Sequence, residues 1–430
     1  MFERKHRIEP FRGLFYNPGR CGDLATIVAP PYDLIGPERQ AQLYERSPYN
    51  VVRLELGREP DRYGAAAALL DRWLREGILQ RAPQPAIHLY TQNFTYEGRE
   101  HTRSGFVVTL RLEEFAPGRI LPHERTFAAA KQDRLELLSA TRLNSSSIFG
   151  LYPGHHPELE RLKQRVASRA ADLAVRDDLG IGNELRAMSD PQEIRIVQKE
   201  LAGVRLLIAD GHHRYETALN YRRLLRAVEH DPPELEPYDY VMITLTSCDD
   251  PGLLILPTHR VVHHIDTQAM RDFDRRAAQF FAIEEFTDAD RLLARLSEGG
   301  SGALAVAMAG VSKLRLLRLK DACAMASAAP QMPPEVRRLD VSVLHTLVLA
   351  RLLGIDEAAV KSGDQIEYTV DARAALAAVN QGKAAGAFLM NPPSIADVER
   401  VSDAGATMPE KSTYFYPKLL TGLVMNPLID

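Results

Sequence analysis

The chain has few of the features that would settle its class at once. Its 430 residues include three cysteines, Cys21, Cys248 and Cys323. They are isolated, with no C-x-x-C pair. That argues against a disulfide framework and a cysteine zinc site, and it fits a reducing compartment. A basic excess is also missing: 53 Lys and Arg stand against 57 Asp and Glu, a formal net charge of −4. Nucleic-acid binders usually carry a basic excess or a basic stripe, so no nucleic-acid partner is expected. The pairs Arg222-Arg223 and Arg337-Arg338 read as solvated helix faces. No stretch reaches the ~18 uninterrupted apolar residues of a membrane span. The opening residues, Met1 to Arg7, are charged and lack the apolar centre of a signal peptide. The expectation is a cytoplasmic protein with no membrane partner. Walker A, G-x-G-x-x-G and G-x-S-x-G patterns are absent. That argues against a P-loop NTPase, a standard dinucleotide fold and an α/β-hydrolase.

What is present is ordinary globular composition, 45% hydrophobic and 26% charged, which does not favour disorder. The length exceeds what one core supports and implies two or three domains. Residues 1–155 read as a strand-rich part, with strands at Ala25–Ala29, Asn50–Leu56, Ile87–Tyr96 and Ser104–Leu112. Gly98 marks a hairpin turn between the last two, and the spacing predicts a helix over Tyr63–Glu76 that carries the only tryptophan, Trp73. Residues 156–265 read as a core. It opens with a charged helical stretch from His155 to about Asp178. A buried strand follows at Leu206–Ala209 and a helix at His212–Val228, with Tyr215, Ala218 and Leu219 on one face. Further strands are expected at Tyr240–Thr246 and Leu253–Leu256. Residues 266–430 read as an α/β part, with a helix at Ala289–Leu296 and strands at Leu304–Met308 and Ala385–Met390.

The strongest chemical signal is Asp210-Gly211-His212-His213-Arg214, where the buried strand turns into the helix. Helix N-termini present unsatisfied N–H groups and partial positive charge, so they accept phosphates readily. Gly211 permits close backbone approach, and Arg214 suits bidentate phosphate binding. His212 and His213 can donate a hydrogen bond or move a proton near neutral pH. The bland alternative makes Asp210 a helix cap and the histidines surface residues. A metal site is the weaker reading, because adjacent helical histidines diverge by ~100°. A second cluster, Pro122-His123-Glu124-Arg125-Thr126 with Lys131 and Arg134, offers acid–base groups (His123, Glu124) and anion-binding cations (Lys131, Arg134). It also reads as a charged loop before an amphipathic helix. In Pro30-Pro31-Tyr32-Asp33 two prolines hold the Asp33 carboxylate, although a structural turn explains the same residues. Asn144-Ser145-Ser146-Ser147 and Pro409 to Lys418 are two further polar segments.

Ala29 to Asp33, Asn50 to Leu54, Pro122 to Thr126, Lys131 to Arg134, Asp210 to Leu219, Leu256-Pro257-Thr258-His259-Arg260 and Lys411 to Leu420 resemble the family known as domain of unknown function 1015, in order and over nearly the whole chain. Asp210 to Arg214, followed by Ala218, also resembles the phosphate-binding turn of the ParB/sulfiredoxin superfamily. That likeness implies an α/β (mixed α+β) fold with a ParB/sulfiredoxin-like core and N- and C-terminal elaborations. By the same likeness Gly211, His212, His213 and Arg214 would hold nucleotide phosphates. Sulfiredoxin needs a cysteine in this turn, and none is here. ParB proteins carry a helix-turn-helix and basic surfaces, and neither is seen. What remains is a phosphoryl-transfer enzyme acting on a small metabolite, using Mg²⁺ with ATP or ADP, and resembling the free-serine kinases. Asp33, His123, Glu124, Asp210 and His213 are the candidate catalytic residues; Gly211, His212, His213, Arg214, Lys131 and Arg134 are the candidate phosphate ligands. The alternatives are a phosphatase for a metabolite such as phosphoserine, a nucleotide-binding switch without turnover, and a metal-dependent hydrolase.

Overall fold

The computed structural model describes residues 6–115, 118–124, 128–230, 232, 234–356, 359–360 and 365–429. The chain is mixed α/β and divides into two units. The first comprises residues 1–122, 126–254 and 417–430, the second residues 123–125 and 255–416. The expected break at residue 155 does not form, because strands from both sides of it share one sheet. The C-terminal segment returns to the first unit, which the three-part reading did not foresee.

The first unit is built on a nine-stranded sheet. Its strands are β1 (Ile8–Glu9), β2 (Ile87–Tyr96), β3 (Arg99–Arg111), β4 (Ile120–Pro122), β5 (Ile148–Tyr152), β6 (Leu173–Arg176), β7 (Gly182–Met188), β8 (Leu206–Asp210) and β9 (Tyr240–Ser247). Their order is β4-β8-β5-β9-β3-β2-β7-β6, with β1 paired to β3. β8 runs parallel to β4 and antiparallel to β5, and β9 runs parallel to β5. Apolar residues such as Leu89, Phe106, Val108, Ile208, Ile243 and Leu245 fill the core. The helix α1 (His212–Val228) adds Tyr215, Ala218 and Leu219 to it, the face read from the 3.6-residue period. Tyr215 satisfies its buried hydroxyl by donating to the Glu113 carbonyl at 2.8 Å. A second core gathers Leu14, Leu43, Val51, Val52, Trp73 and Met425.

The second unit carries a six-stranded sheet of β10 (His259–Val262), β11 (Phe281–Phe286), β12 (Ala303–Met308), β13 (Leu314–Leu319), β14 (Ile366–Thr369) and β15 (Gly386–Met390). Their order is β11-β13-β12-β15-β10-β14, with every pair antiparallel. The helices Ala289–Glu298 and Ala372–Asn380 bury Leu292, Leu296, Leu376 and Val379 against Leu316 and Leu389.

Three expected elements differ. Ala25–Ala29 is not a strand: Asp23 accepts from the Ala25 amide at 3.0 Å and starts a 3₁₀ turn at Leu24–Thr26. Asn50–Leu56 is not a strand either. The Asn50 side chain accepts from the Val52 amide at 3.0 Å, which turns the backbone, and a short helix, α2 (Val52–Glu55), follows. The charged helix after His155 spans Pro157–Ala167 and gives way to β6.

Trp73 is 1% exposed and packs against Tyr16 and Tyr49. Trp73→Ala is expected to cost about 3–5 kcal/mol, read as a lower urea midpoint by circular dichroism. An unchanged midpoint would contradict this packing.

Candidate functional site

The turn after β8 is shaped by its ladder. Ile208 pairs with Gly150 and Asp210 with Phe149, so Ala209 is one residue too many on its strand. Such a bulge bends the strand and re-aims the side chain beside it. Gly211 follows at φ 91° and ψ 27°, a left-handed conformation that costs an L-residue roughly 1–2 kcal/mol. A Cβ at Gly211 would lie 3.0 Å from an Arg214 guanidinium nitrogen. Gly211 is the N-cap of α1 and, lacking a side chain, makes no side-chain cap hydrogen bond. The simple-cap reading of Asp210 therefore fails in detail, because its carboxylate is directed elsewhere.

Asp210 accepts from Lys418 Nζ at 3.0 Å and lies 4.0 Å from Arg214 Nη2. Burial pushes its carboxyl up, but Lys418, Arg214 and His212 outweigh that and hold it well below the ordinary carboxylate range. A carboxylate this firmly ionised is a poor proton acceptor and a good partner for cations. Arg214 donates through Nη1 to the Ser147 carbonyl at 2.6 Å and to Ser146 Oγ at 3.1 Å. Its Nε is buried without a hydrogen-bond partner among the described residues. His212 is buried and His213 half-buried at the first turn of the helix.

Residues outside the expected set complete the surroundings. Arg103 on β3 is 2% exposed, lies 4.6 Å from the Phe149 ring centroid, and donates to Gln92 and to the Pro417 carbonyl. Gln92 also donates to the Lys418 carbonyl at 3.1 Å. The segment that carries Lys418 is thus held by the sheet. Tyr32 is close enough to Asp33, Arg134, Glu55 and Arg214 to feel their charges, and burial pushes its phenol up to about 12. Asp33 itself is exposed. No local pattern marks Arg103 or Glu55 as partners, since each acts through contacts distant in sequence; Tyr32 stood in the Pro30 to Asp33 segment, although only Asp33 was read as functional there. Lys418 ends the polar segment Pro409 to Lys418.

The other expected cations are engaged. Arg134 is 6% exposed; it donates to the Glu55 carboxylate at 3.1 Å, the Glu55 carbonyl at 3.2 Å and Asp133 at 2.8 Å, and its guanidinium carbon lies 4.3 Å from the Tyr32 ring centroid. Lys131 donates to Glu216 at 2.7 Å, tying the helix Ala128–Thr141 to α1. His123 and Glu124 belong to the second unit. His123 is fully buried, with Nε2 2.9 Å from Thr413 Oγ1, and Thr413 donates to Glu124 at 3.4 Å. Arg125 and Thr126 of the same cluster lie outside the described residues. Among the described residues no three His, Cys, Asp or Glu side chains form a metal-ligand set, and no helix is long and apolar enough to cross a membrane.

Fold and site together define a mixed α/β protein with an uncapped, cation-flanked helix start. The chain belongs to the family described as Protein of unknown function (DUF1015), whose model matches residues 8–342. No curated protein matches in sequence. Several solved structures are similar at low identity. A free serine kinase in complex with AMP is 11% identical, with a TM-score of 0.35, over 69% of this chain and 83% of that one. A conserved hypothetical protein from Pyrococcus furiosus is 12% identical, with a TM-score of 0.34, over 70% and 89%. SbnI with a C-terminal truncation, from Staphylococcus aureus, is 12% identical, with a TM-score of 0.34, over 72% and 84%.

Two outcomes follow from the turn. Because the folded Asp210 pKa is depressed, its stabilisation is complete above the unfolded value of about 3.9 and lost as pH falls below it. Asp210→Asn is therefore expected to be less stable than the parent near neutrality, and the gap should shrink as pH drops through about 4. Urea unfolding across that range measures it, and a gap independent of pH would refute the assignment. Gly211→Ala should lower stability by roughly 1–2 kcal/mol in the same assay.

Proposed function

We propose that the protein is a phosphoryl-transfer enzyme that uses ATP or ADP with Mg²⁺ to act on a small hydroxylated metabolite of the serine type. The observation that carries this reading is the start of α1, uncapped behind a left-handed glycine and flanked by Lys418 and Arg214. First-turn amides have no intrahelical acceptor. Fixed donors and cations of this kind stabilise the charge of a transferring phosphoryl group without reorganising.

In this reading the amides of His212, His213 and Arg214 receive the terminal phosphate. Lys418 and the Arg214 Nη2 edge neutralise it, while Ser146 and Ser147 fix Arg214 from the other side. The acceptor hydroxyl oxygen forms the new P–O bond. The bridging P–O bond breaks, and its electron pair leaves on the nucleotide. The hydroxyl proton passes to Asp33, the exposed carboxylate beside Tyr32. Mg²⁺ commonly takes one or two carboxylates besides phosphate oxygens and water. Asp210, held well below the ordinary carboxylate range by Lys418 and Arg214, fits that role, and the ion would neutralise phosphate charge. Arg134 and Lys131 hold the helices in place. His123 and Glu124 take no step.

The test is a thermal-shift titration with ATP, ADP and CTP, with and without Mg²⁺, followed by transfer of labelled γ-phosphate to L-serine. A ligand that binds only the folded state raises the melting temperature by mass action. A shift with ATP or ADP is expected, and Arg214→Ala should remove it. The His213 imidazole would add a hydrogen bond to the same phosphate, so His213→Ala should abolish turnover with the fold intact, and Asp33→Asn should lower kcat by about 10²–10⁴. Phosphate release from phosphoserine without nucleotide would indicate a phosphatase instead. Tight binding without turnover would indicate a switch, and no shift with any nucleotide would sink the nucleotide site.

A further inference from the structure

A second cleft in the first unit owes nothing to the helix start. It has a volume of about 720 Å³, within the roughly 300–1,000 Å³ typical of small-molecule sites. Its walls come from the antiparallel pair Leu14–Tyr16 and Leu79–Arg81 and from β2, β6 and β7. Phe15, Leu24, Leu173 and Leu185 supply apolar surface, and apolar lining exceeds polar.

One polar side chain in this wall is unusual. His88 is 3% exposed. Its Nε2 has no hydrogen-bond partner among the described residues. Buried polar atoms are nearly always paired, and each exception calls for an explanation. Phe11 and Phe15 each meet the imidazole edge-on, with centroids 5.5 Å away. Of the two, Phe15 lines the cleft beside His88. Burial pulls the imidazole down to about 4, so it is neutral near pH 7 and keeps one nitrogen as an acceptor. Around the rim stand the carboxylates of Asp23 and Asp172, both exposed, and a single guanidinium, Arg81, which donates to the Ile429 carbonyl at 2.8 Å. Such a rim disfavours anions.

We propose that this cleft binds a small uncharged aromatic molecule bearing an N–H or O–H donor, which stacks between apolar walls and donates to His88. This ligand is distinct from any phosphorylated substrate, and the inference does not rest on the nucleotide reading.

Indole is the probe, with benzoate as its anionic counterpart, each titrated by saturation-transfer difference NMR. Saturable indole binding and much weaker benzoate binding are expected. Ala187 lines the cleft, is exposed, and lies directly opposite His88 on the neighbouring strand. Ala187→Trp should therefore fill the space without disturbing a core, and it should abolish indole binding while the far-UV spectrum stays unchanged. His88→Phe keeps the ring and removes the acceptor; it should weaken indole binding roughly tenfold. Absent indole binding, indole binding undiminished in Ala187→Trp, or equal binding of benzoate would each overturn the proposal.

Discussion

The pairing of Asp210 with Lys418 joins residues 208 positions apart and organises the rest of the helix-start site. Both side chains are mostly buried, at 20% and 16% exposure. In such surroundings an unpaired charge costs more than the pair gains, so removing one partner is far worse than never having the pair. Strand end, glycine turn and C-terminal segment therefore order together. The segment is also held by backbone bridges, Thr421 to Ala29 and Met425 to Leu14, and by a short pairing of Asn426 with Asn144. Three distant stretches of chain meet where the helix begins.

Buried arginines do much of the positioning. Arg103, Arg134 and, in the second unit, Arg260 are each at most 6% exposed. All three are directed at backbone carbonyls: Pro417 for Arg103, Glu55 for Arg134, Glu410 and Lys411 for Arg260. A guanidinium stays charged at any ordinary pH and carries five donors in a rigid fork. Placed inside, it fixes loops that lack secondary structure of their own. Arg134 illustrates the difference between a ligand and a clamp: its sequence context suggests an anion site, but its donors are given to Glu55 and Asp133.

Periodicity made much of the fold legible. The strand Ile87–Tyr96 and the helix His212–Val228 stand at the expected residues, because a long run of one period outweighs local noise. Short runs misled. Val51, Val52 and Leu54 are all buried, so their apolar character carries no directional signal, and the Asn50 side chain decides the turn. The site was half legible. The Asp210–Arg214 turn announces itself as strand, glycine and polar helix start. Arg103 and Glu55 do not, because nothing local separates an arginine within a strand from one that braces a loop 314 residues away.

Net charge illustrates the same limit. A total of −4 argues against long polyanions, whose binding sums charge over a large surface. It says nothing about one phosphate. Exposed charges beyond about 8–10 Å are largely screened at ordinary ionic strength, so a single phosphate responds to its immediate neighbours. The start of α1 combines the positive end of a 17-residue helix with Lys418 and Arg214, and Arg103 is near enough to Asp210 to feel its charge. Asp210 is a carboxylate among them, and its ion pair with Lys418 balances one of these positive charges. A protein that is anionic overall thus gathers Lys418, Arg214 and Arg103 about one buried strand end, and a single carboxylate, ion-paired from the far end of the chain, holds that cluster together.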